Sequence, residues 1–379
     1  MPAPEPRPAD ADLSSAHDAP PPVATGGLGG PVLVVGAGLI GASVAMALTR
    51  AGVETYVRDL NPKVAHVAAS LGAGSDDRLP QAPTLVVVAT PPDVLGAEIL
   101  KALLAYPSAV VTDVGSVKSE PLRRLREHDA PISRYVGGHP MAGSERSGPM
   151  AAAADLFDGR AWAVVTRADC DHWAVSLVQG LVAACGAVAV TMTAQEHDVA
   201  VARVSHLPHL MAALTAAQLA AAPPEHLALS GQGVRDVTRI AAGDPRLWRQ
   251  ILTANAGAVT ALLSSLRDDL DTVVRSLAEG DSAGIEKVLA AGVAGTSLIP
   301  GKHGGPPVSL DIVTVAIPDE PGALARLFGD VGAAKVNIED LRIDHDPARA
   351  FGLVELDVAA DSAEELTRAL DARGWAVHR

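Results

Sequence analysis

Aromatic residues and cysteines are scarce in this chain of 379 residues: Phe, Trp and Tyr make up only 3% of it, and there are two cysteines. Alanine, valine and leucine must therefore fill its cores, which a hydrophobic content of 48% allows to be large. Cys170 and Cys185 have no metal-type spacing and do not indicate a disulfide framework. Basic residues are outnumbered by acidic ones, which gives a formal net charge of −14. This charge disfavours nucleic acid and anionic membranes as partners.

The N-terminus has no apolar segment of the kind that a signal peptide requires, so the cytoplasm is the simplest compartment. Residues 1–30 are rich in proline and end in GGLGG, which predicts a disordered tail. Residues 31–49 carry no charge and are long enough for a membrane span. Three glycines in that run, with β-type residues only before them, argue against a span.

A glycine-rich turn lies in the run PVLVVGAGLIGASVAMALTR at 31–50. Gly36, Gly38 and Gly41 separate a strand-like segment from a helix-like one in the spacing G-x-G-x-x-G, the dinucleotide-binding fingerprint. Asp59 follows 18 residues after Gly41, where a carboxylate can bind ribose hydroxyls and repel a 2′-phosphate. The motif predicts NAD as the cofactor, although Arg58 weakens the exclusion of NADP.

Strand-like and helix-like segments alternate over 31–193, which predicts a Rossmann-type, doubly wound parallel sheet. Ligands of such sheets bind beyond the carboxyl ends of the strands. Three predicted strands end there in polar or turn-forming sequences, at Thr90-Pro91, at GSVK (115–118) and at GHP (138–140). The predicted cofactor-binding residues are Gly36, Gly38, Leu39, Ile40, Gly41, Asp59, Thr90 and Pro91.

The rest of the chain predicts two further domains. Residues 194–296 are helical in pattern, with one long helix over 194–222 that Pro208 should kink. Residues 297–309 form a Gly/Pro-rich linker. Residues 310–379 follow the order βαββαβ, which is the ferredoxin-like arrangement.

Four motifs besides the glycine turn resemble the prephenate/arogenate dehydrogenase family of tyrosine biosynthesis. They are TDVGSVK at 112–118, GGHPMAGSE at 137–145, SHLPH at 205–209 and DVTRIAAGDPRLW at 236–248. The segments DEPGALARLF at 319–328 and VNIEDLRI at 336–343 resemble an ACT domain. Together the two resemblances cover nearly all of the chain after the N-terminal tail.

The resemblance implies NAD-dependent oxidative decarboxylation of prephenate to 4-hydroxyphenylpyruvate. Hydride leaves the hydroxyl-bearing ring carbon, and the resulting vinylogous keto acid loses carbon dioxide and becomes aromatic. The protein then needs a nicotinamide over that carbon, an acceptor for the hydroxyl proton, and cations for two carboxylates.

His139 is the predicted hydroxyl partner, because it ends a predicted strand on the ligand side and imidazole is a suitable base near neutral pH. The resemblance assigns the same role to the GGHP histidine. Ser116 can hydrogen-bond the substrate hydroxyl or His139, or cap the following helix.

Arg239 is the expected carboxylate clamp, because a guanidinium group binds a carboxylate through two parallel hydrogen bonds. His206 matches the family's substrate-side histidine better than His209 does, and their spacing suits a metal ion, but no third ligand follows and we expect no metal. The remaining predicted substrate-site residues are Ser144, Glu145, Arg235 and Trp248. A surface salt bridge is the alternative role for Glu145, and packing in a helix core is the alternative role for Trp248.

The ACT resemblance implies feedback regulation by an aromatic amino acid, with dimerisation alone as the alternative. The residues that match its binding loop and interface are Asp319, Gly322, Ala323, Leu324 and Asn337. The Ala- and Leu-rich helices and the ACT segment make a homodimer the expected assembly.

Three other functions compete with this interpretation. Arogenate dehydrogenase, or an enzyme of both substrates, differs only in the substrate's side chain, and no residue distinguishes them. A non-catalytic NAD- and amino-acid-binding sensor is disfavoured because every expected polar group is present. A β-hydroxyacid dehydrogenase is disfavoured because such enzymes rely on a helical-domain lysine, and residues 194–286 contain no lysine.

Overall fold

The computed structural model describes residues 28–143, 146–299, 309–345 and 351–378. The chain divides into two compact units. The first contains residues up to 204 together with 243–258, and the second contains 205–242 and 259–379. The predicted tail lies almost wholly outside the described residues, as does most of the predicted linker.

The first unit is built on a seven-stranded sheet. Its strands are β1 (Val32–Val35), β2 (Thr55–Arg58), β3 (Leu85–Val88), β4 (Val110–Asp113), β5 (Tyr135–Pro140), β6 (Ala161–Val165) and β7 (Val188–Met192). The spatial order is β2-β1-β3-β4-β5-β6-β7, and all neighbours are parallel except β5 and β6. The central strands are buried runs of valine, as a sheet covered on both faces requires.

Helices connect these strands in the predicted alternation. They are α1 (Leu39–Arg50), α2 (Pro62–Ser70), α3 (Pro92–Ala105), α4 (Ser119–Glu127), α5 (His172–Ala184) and α6 (Ala194–Val201). Asn61 caps α2 by accepting the Lys63 N–H, and Thr193 forms a capping box with Glu196 at the start of α6. The Rossmann-type fold predicted from the sequence is confirmed, apart from the antiparallel β5–β6 pair.

Small aliphatic residues and a few large ones fill the core of the first unit. The largest fully buried side chains include Trp162, Tyr135 and Phe157. Both cysteines are buried and free, and burial raises the pKa of Cys185 to about 12.

A buried ion pair lies beneath the turn that follows β4. Lys118 Nζ donates to Asp113 Oδ2, and both side chains are at most 1% exposed. Asp113 also accepts from the Tyr135 hydroxyl at 2.9 Å and from the Gly115 N–H at 2.9 Å. Burial and the Asp113 carboxylate raise the pKa of Tyr135 well above its usual value, so its hydroxyl stays a donor. These bonds fix the turn that carries Ser116.

The long helix predicted over 194–222 is interrupted. Helix α6 passes into a π-helical segment, Ala202–His206, and then into α7 (Leu207–Leu219). Pro208 has no N–H to donate to the carbonyl four residues earlier, which explains why regular α-helical bonding gives way before it. The prediction of one helix is wrong in this detail, while a Pro208-linked irregularity is present.

Five further helices follow. They are α8 (Pro224–Leu227), α9 (Gln232–Thr238), α10 (Pro245–Ala254), α11 (Ala256–Glu279) and α12 (Ser282–Thr296). Asp244 caps α10, and Pro245 occupies its first turn. Helix α10 packs on α3 within the first unit. Among the described residues, none of the helices combines the length and the apolar character needed to cross a bilayer.

The C-terminal segment of the second unit has the predicted order βαββαβ. Its elements are β8 (Leu310–Pro318), α13 (Ala323–Ala333), β9 (Asp340–His345), β10 (Phe351–Ala359), α14 (Ala363–Asp371) and β11 (Ala376–His378). The sheet order is β11-β8-β10-β9, and all neighbours are antiparallel. The second strand of this segment begins at Asp340, after a loop over 336–339 that follows the positive-φ residue Lys335.

The Asp113–Lys118 pair yields a stability prediction. Lys118→Met leaves a buried carboxylate without its cation, so the free energy of unfolding should fall by about 3 kcal/mol. Urea unfolding followed by circular dichroism measures this change. Lys101→Met is the matched control, because Lys101 pairs with Glu98 at the surface and should change stability by less than about 0.5 kcal/mol. Equal midpoints for the two variants would contradict the prediction.

Candidate active site

The glycine turn between β1 and α1 has three differently constrained glycines. Gly36 has φ +99°, and a Cβ there would lie 2.4 Å from the Ala89 carbonyl oxygen. A Cβ on Gly41 would lie 1.9 Å from the Gly36 carbonyl oxygen. A Cβ on Gly38 would meet no protein atom within 4 Å. Protein packing therefore explains Gly36 and Gly41, whereas Gly38 leaves open space at the helix N-terminus.

The open space at Gly38 suits the pyrophosphate of a dinucleotide. Helix α1 begins at Leu39 with no side-chain cap and no acidic residue in its first turn, so its N-terminal N–H groups lack a carboxylate competitor on that helix. Thr90 Oγ1 at the end of β3 is enclosed without a hydrogen-bond partner among the described residues. These features fit NAD, and they lie at positions that the sequence predicts to bind it.

Asp59 lies directly after β2, beside the glycine turn. Its Oδ2 accepts the Ala37 N–H at 2.9 Å and its Oδ1 accepts the Asn61 N–H at 2.9 Å. Two backbone donors thus fix the carboxylate where the fingerprint requires a ribose acceptor. Arg58 donates to the backbone carbonyls of Val57, Asp76 and Asp77. Because these carbonyls already bind its guanidinium, Arg58 is not placed to bind the 2′-phosphate of NADP.

His139 lies beyond the carboxyl end of β4. Strands β4 and β5 pair only at Val111–Tyr135 and Thr112–Val136, and the rest of β5 continues along β6. His139 is consequently half-buried at the ligand side of the sheet. The half-buried Ser116 lies in the turn after β4, at the same sheet edge.

A chain of three side chains runs inward from His139. His139 Nδ1 lies 2.9 Å from His197 Nε2, and His197 Nδ1 lies 2.8 Å from Asp198 Oδ1. The two rings meet edge-on, with centroids 5.1 Å apart. His197 is 1% exposed and Asp198 is 5% exposed. Helix α6 therefore supplies a buried imidazole and carboxylate behind the predicted base.

Asp198 joins helix α6 to the turn that carries Ser116. Its Oδ1 accepts the Lys118 N–H and its Oδ2 accepts the Ser119 N–H, both at 2.8 Å. Burial opposes ionisation of Asp198, but the hydrogen bonds from His197, Ser119 and Lys118 outweigh it and lower the pKa of the carboxyl group. Asp198 is thus an ionised acceptor at neutral pH.

The charge of Asp198 sets the proton positions in the chain. An ionised carboxylate accepts from His197 Nδ1–H, so His197 Nε2 accepts from His139 Nδ1–H. The basic lone pair of a neutral His139 then lies on Nε2, the nitrogen directed away from His197. The arrangement can accept a proton at His139 and stabilise the resulting imidazolium.

Two predicted substrate residues of the second unit, Arg235 and Arg239, lie in α9 and in the 3₁₀ turn that follows it, and both segments pack against α7. Helix α7 contains His209 and packs against the 3₁₀ turn Arg239–Ala242. Burial lowers the pKa of His209, and a hydrogen bond to the backbone of Ile240 opposes part of this shift. His206 is 1% exposed, whereas Arg235 and Arg239 are exposed within this unit.

The remaining predicted residues fall in different places. Trp248 is half-buried in α10 of the first unit. Ser144 and Glu145 lie outside the described residues. Of the residues predicted to regulate, Gly322 adopts φ +91° as the N-cap of α13, and Asn337 donates to Glu339 Oε1 at 2.7 Å. Asp319, Ala323 and Leu324 lie in the same β8–α13 turn and the start of α13.

Comparison with known proteins identifies the family. The model of the prephenate dehydrogenase nucleotide-binding domain matches residues 44–191, and that of the prephenate dehydrogenase dimerization domain matches 193–291. The chain belongs to the prephenate dehydrogenase family. Its members are NAD-dependent oxidoreductases, which confirms the activity class and the cofactor predicted from the glycine turn.

Three relatives illustrate the similarity. The probable prephenate dehydrogenase NovF of Streptomyces niveus is 34% identical, covering 90% of this chain and 98% of that protein. The cyclohexadienyl dehydrogenase of Zymomonas mobilis is 29% identical, covering 66% of this chain and 89% of that protein. The crystal structure of prephenate dehydrogenase from Aquifex aeolicus, in complex with hydroxyphenyl propionate and NAD+, is 30% identical with a TM-score of 0.63, covering 71% of this chain and 98% of that one.

His197 and Asp198 were missed in the sequence. A signal for them exists, because residues 194, 197, 198, 201 and 202 form the buried face of one helix. Two of those five positions are polar, and a polar pair on a buried helix face needs hydrogen-bond partners. The sequence alone did not say which partners, since His139 is 58 residues away.

The glycine turn yields a binding prediction. Gly38→Ala should keep the thermal stability of the protein but weaken NAD binding at least about tenfold, because its Cβ enters the open space at the helix N-terminus. Isothermal titration with NAD measures the affinity. Gly41→Ala is the matched contrast: its Cβ overlaps Gly36, so it should lower stability by about 2 kcal/mol. Unchanged NAD affinity in Gly38→Ala would refute the assignment.

Proposed function

We propose that this protein is a prephenate dehydrogenase that converts prephenate to 4-hydroxyphenylpyruvate with NAD. The observation that carries the proposal is His139, held through His197 by the ionised Asp198 at the ligand edge of the sheet. Its position in the fold and the family membership of the chain support this role for His139 at the substrate hydroxyl.

The proposed reaction divides its tasks among few groups. NAD, when bound, supplies the acceptor for hydride from the hydroxyl-bearing ring carbon. His139 Nε2 takes the hydroxyl proton as the carbonyl forms, and Ser116 donates to or accepts from the same hydroxyl. The oxidised ring then loses carbon dioxide, and the electrons of the broken C–C bond leave an aromatic phenolate that takes back the proton held on His139 Nε2, so no second acid or base is needed.

We assign substrate recognition to positive groups of the helical segment. Arg239 offers two parallel N–H donors to a carboxylate, and His206 offers an imidazole. Arg235, Trp248, Ser144 and Glu145 stay as further candidates for the pocket border. The net charge of −14 means that a dianionic substrate depends on these local groups rather than on the field of the whole protein.

Arogenate is the second candidate substrate. It differs from prephenate by an amine in place of the side-chain ketone, and a relative of this chain is named cyclohexadienyl dehydrogenase. An enzyme that accepts both substrates is therefore a specific alternative, and a sensor without turnover is the non-enzymatic one.

Steady-state turnover tests the proposal. The full chain should reduce NAD with prephenate, followed at 340 nm, with the hydroxyphenylpyruvate product confirmed by chromatography. Parallel assays with arogenate and with NADP measure the substrate and cofactor preferences. If arogenate is turned over faster than prephenate, arogenate is the substrate. If neither compound leads to reduction of NAD or NADP, the proposal that the protein is an enzyme is refuted.

The matched variant for this assay is His139→Asn. Loss of the base should lower kcat by at least about 100-fold while NAD affinity stays unchanged. Loss of NAD binding in this variant would remove His139 from the catalytic role.

We also propose that the C-terminal βαββαβ segment is an ACT domain that binds an aromatic amino acid, and that the protein is a homodimer. Support comes from the turn at 319–322 and from the match of 193–291 to a dimerization domain. Titration calorimetry with tyrosine, phenylalanine and tryptophan should give heat with one of them and reduced activity. No heat and unchanged activity would leave the segment without a regulatory role.

A further inference from the structure

We propose that His197 and Asp198 are positioning residues for His139: they fix its tautomer and ring orientation, and they stabilise the proton that it takes from the substrate hydroxyl. This inference rests on the proposed role of His139 as the base. It gives a function to the two buried polar residues of helix α6 that the sequence motifs left without one.

The hydrogen-bond chain is continuous and buried. His139 Nδ1 to His197 Nε2 is 2.9 Å, and His197 Nδ1 to Asp198 Oδ1 is 2.8 Å. His197 is 1% exposed, so its contact with His139 Nδ1 is closed to bulk water. A base held in this way loses less orientational freedom when it meets the substrate.

The partners of Asp198 make its charge necessary. Lys118 N–H, Ser119 N–H and His197 Nδ1–H all donate to its two oxygens. An asparagine in place of Asp198 would direct its NH₂ group at one or more of these N–H donors, and that contact would be repulsive. A carboxylate in contact with His197 also favours positive charge on the imidazole pair, which is the charge that appears when His139 accepts a proton.

A second set of ionisable groups borders the strand of His139. Asp113 accepts the Gly138 N–H at 3.4 Å and is bonded to Lys118 and Tyr135. Strand β6 places Ala163 opposite His139. Asp113 and Lys118 neutralise each other, whereas Asp198 has a hydrogen-bonded path to His139 through His197.

A purely structural role is the competing explanation, since Asp198 also satisfies N–H groups at the start of α4. Substitutions of His197 distinguish the structural role from the positioning role. His197→Phe keeps a ring of similar volume but removes both hydrogen bonds, whereas His197→Gln can accept from His139 through Oε1 and donate to Asp198 through Nε2. His172→Gln, at an exposed position of α5, is the control.

Kinetics of the full chain give the first readout. His197→Phe should lower kcat about 10- to 100-fold with the KM for NAD unchanged, and His197→Gln should recover most of that loss. The acidic limb of kcat/KM should move to lower pH in His197→Phe, because an imidazolium without its carboxylate-linked partner loses its proton more easily. His172→Gln should match the wild type.

Imidazole titration by NMR, without substrate or NAD, gives the second readout. The His139 signal is assigned by its loss in His139→Asn, and its pKa should fall in His197→Phe and fall less in His197→Gln. The same pKa in the wild type and both variants, or unchanged kcat in His197→Phe, overturns the inference. Should His197→Phe not fold, the His139 pKa in His197→Gln decides, and an unchanged value overturns it.

Failure of the proposed function looks different. If the wild type oxidises neither prephenate nor arogenate, the function falls, while the NMR titration still reports whether the pair controls His139.

Discussion

The ionised carboxylate of Asp198 is the group on which the candidate active site depends. A buried charge costs several kcal/mol unless hydrogen bonds replace its water, and here every described partner is a donor. Two of those donors belong to the turn after β4 and one belongs to His197. A single buried anion therefore holds the Ser116 turn and His139 in one arrangement, because moving either would leave the charge unsatisfied.

A second buried carboxylate supports the same turn from below. Asp113 holds Lys118 Nζ, the Tyr135 hydroxyl and the Gly115 N–H, so residues 115–119 are fixed by side chains of β4, β5 and α6. Loops are usually the most mobile parts of a fold. The position of the Ser116 turn between two buried anions gives it the rigidity of the sheet beside it.

The parallel sheet explains why the proposed cofactor site and the proposed base lie at the same edge. The carboxyl ends of parallel strands converge, so the glycine turn after β1, Asp59 after β2 and the turn after β4 all lie at that edge. The antiparallel β5–β6 pair extends β5 past its neighbour and brings His139 beyond the end of β4. The antiparallel pair, a departure from a regular parallel sheet, is thus the feature that places His139, the proposed base, at this edge.

The sequence alone determined the fold class and the cofactor, because these depend on local patterns: alternating periodicity and glycine spacing. It also gave the family, since long motifs survive intact in order. His139 as the base stays a prediction that rests on its place at a strand end. Only the tertiary structure revealed His197 and Asp198 as partners of His139, the buried Asp113–Lys118 pair and the engagement of Arg58 with 76–77. Each of these contacts joins residues that are separated in the sequence, or joins a side chain to one of several partners within its reach. Hydrogen-bond direction and burial decide such contacts, and a one-dimensional pattern records neither.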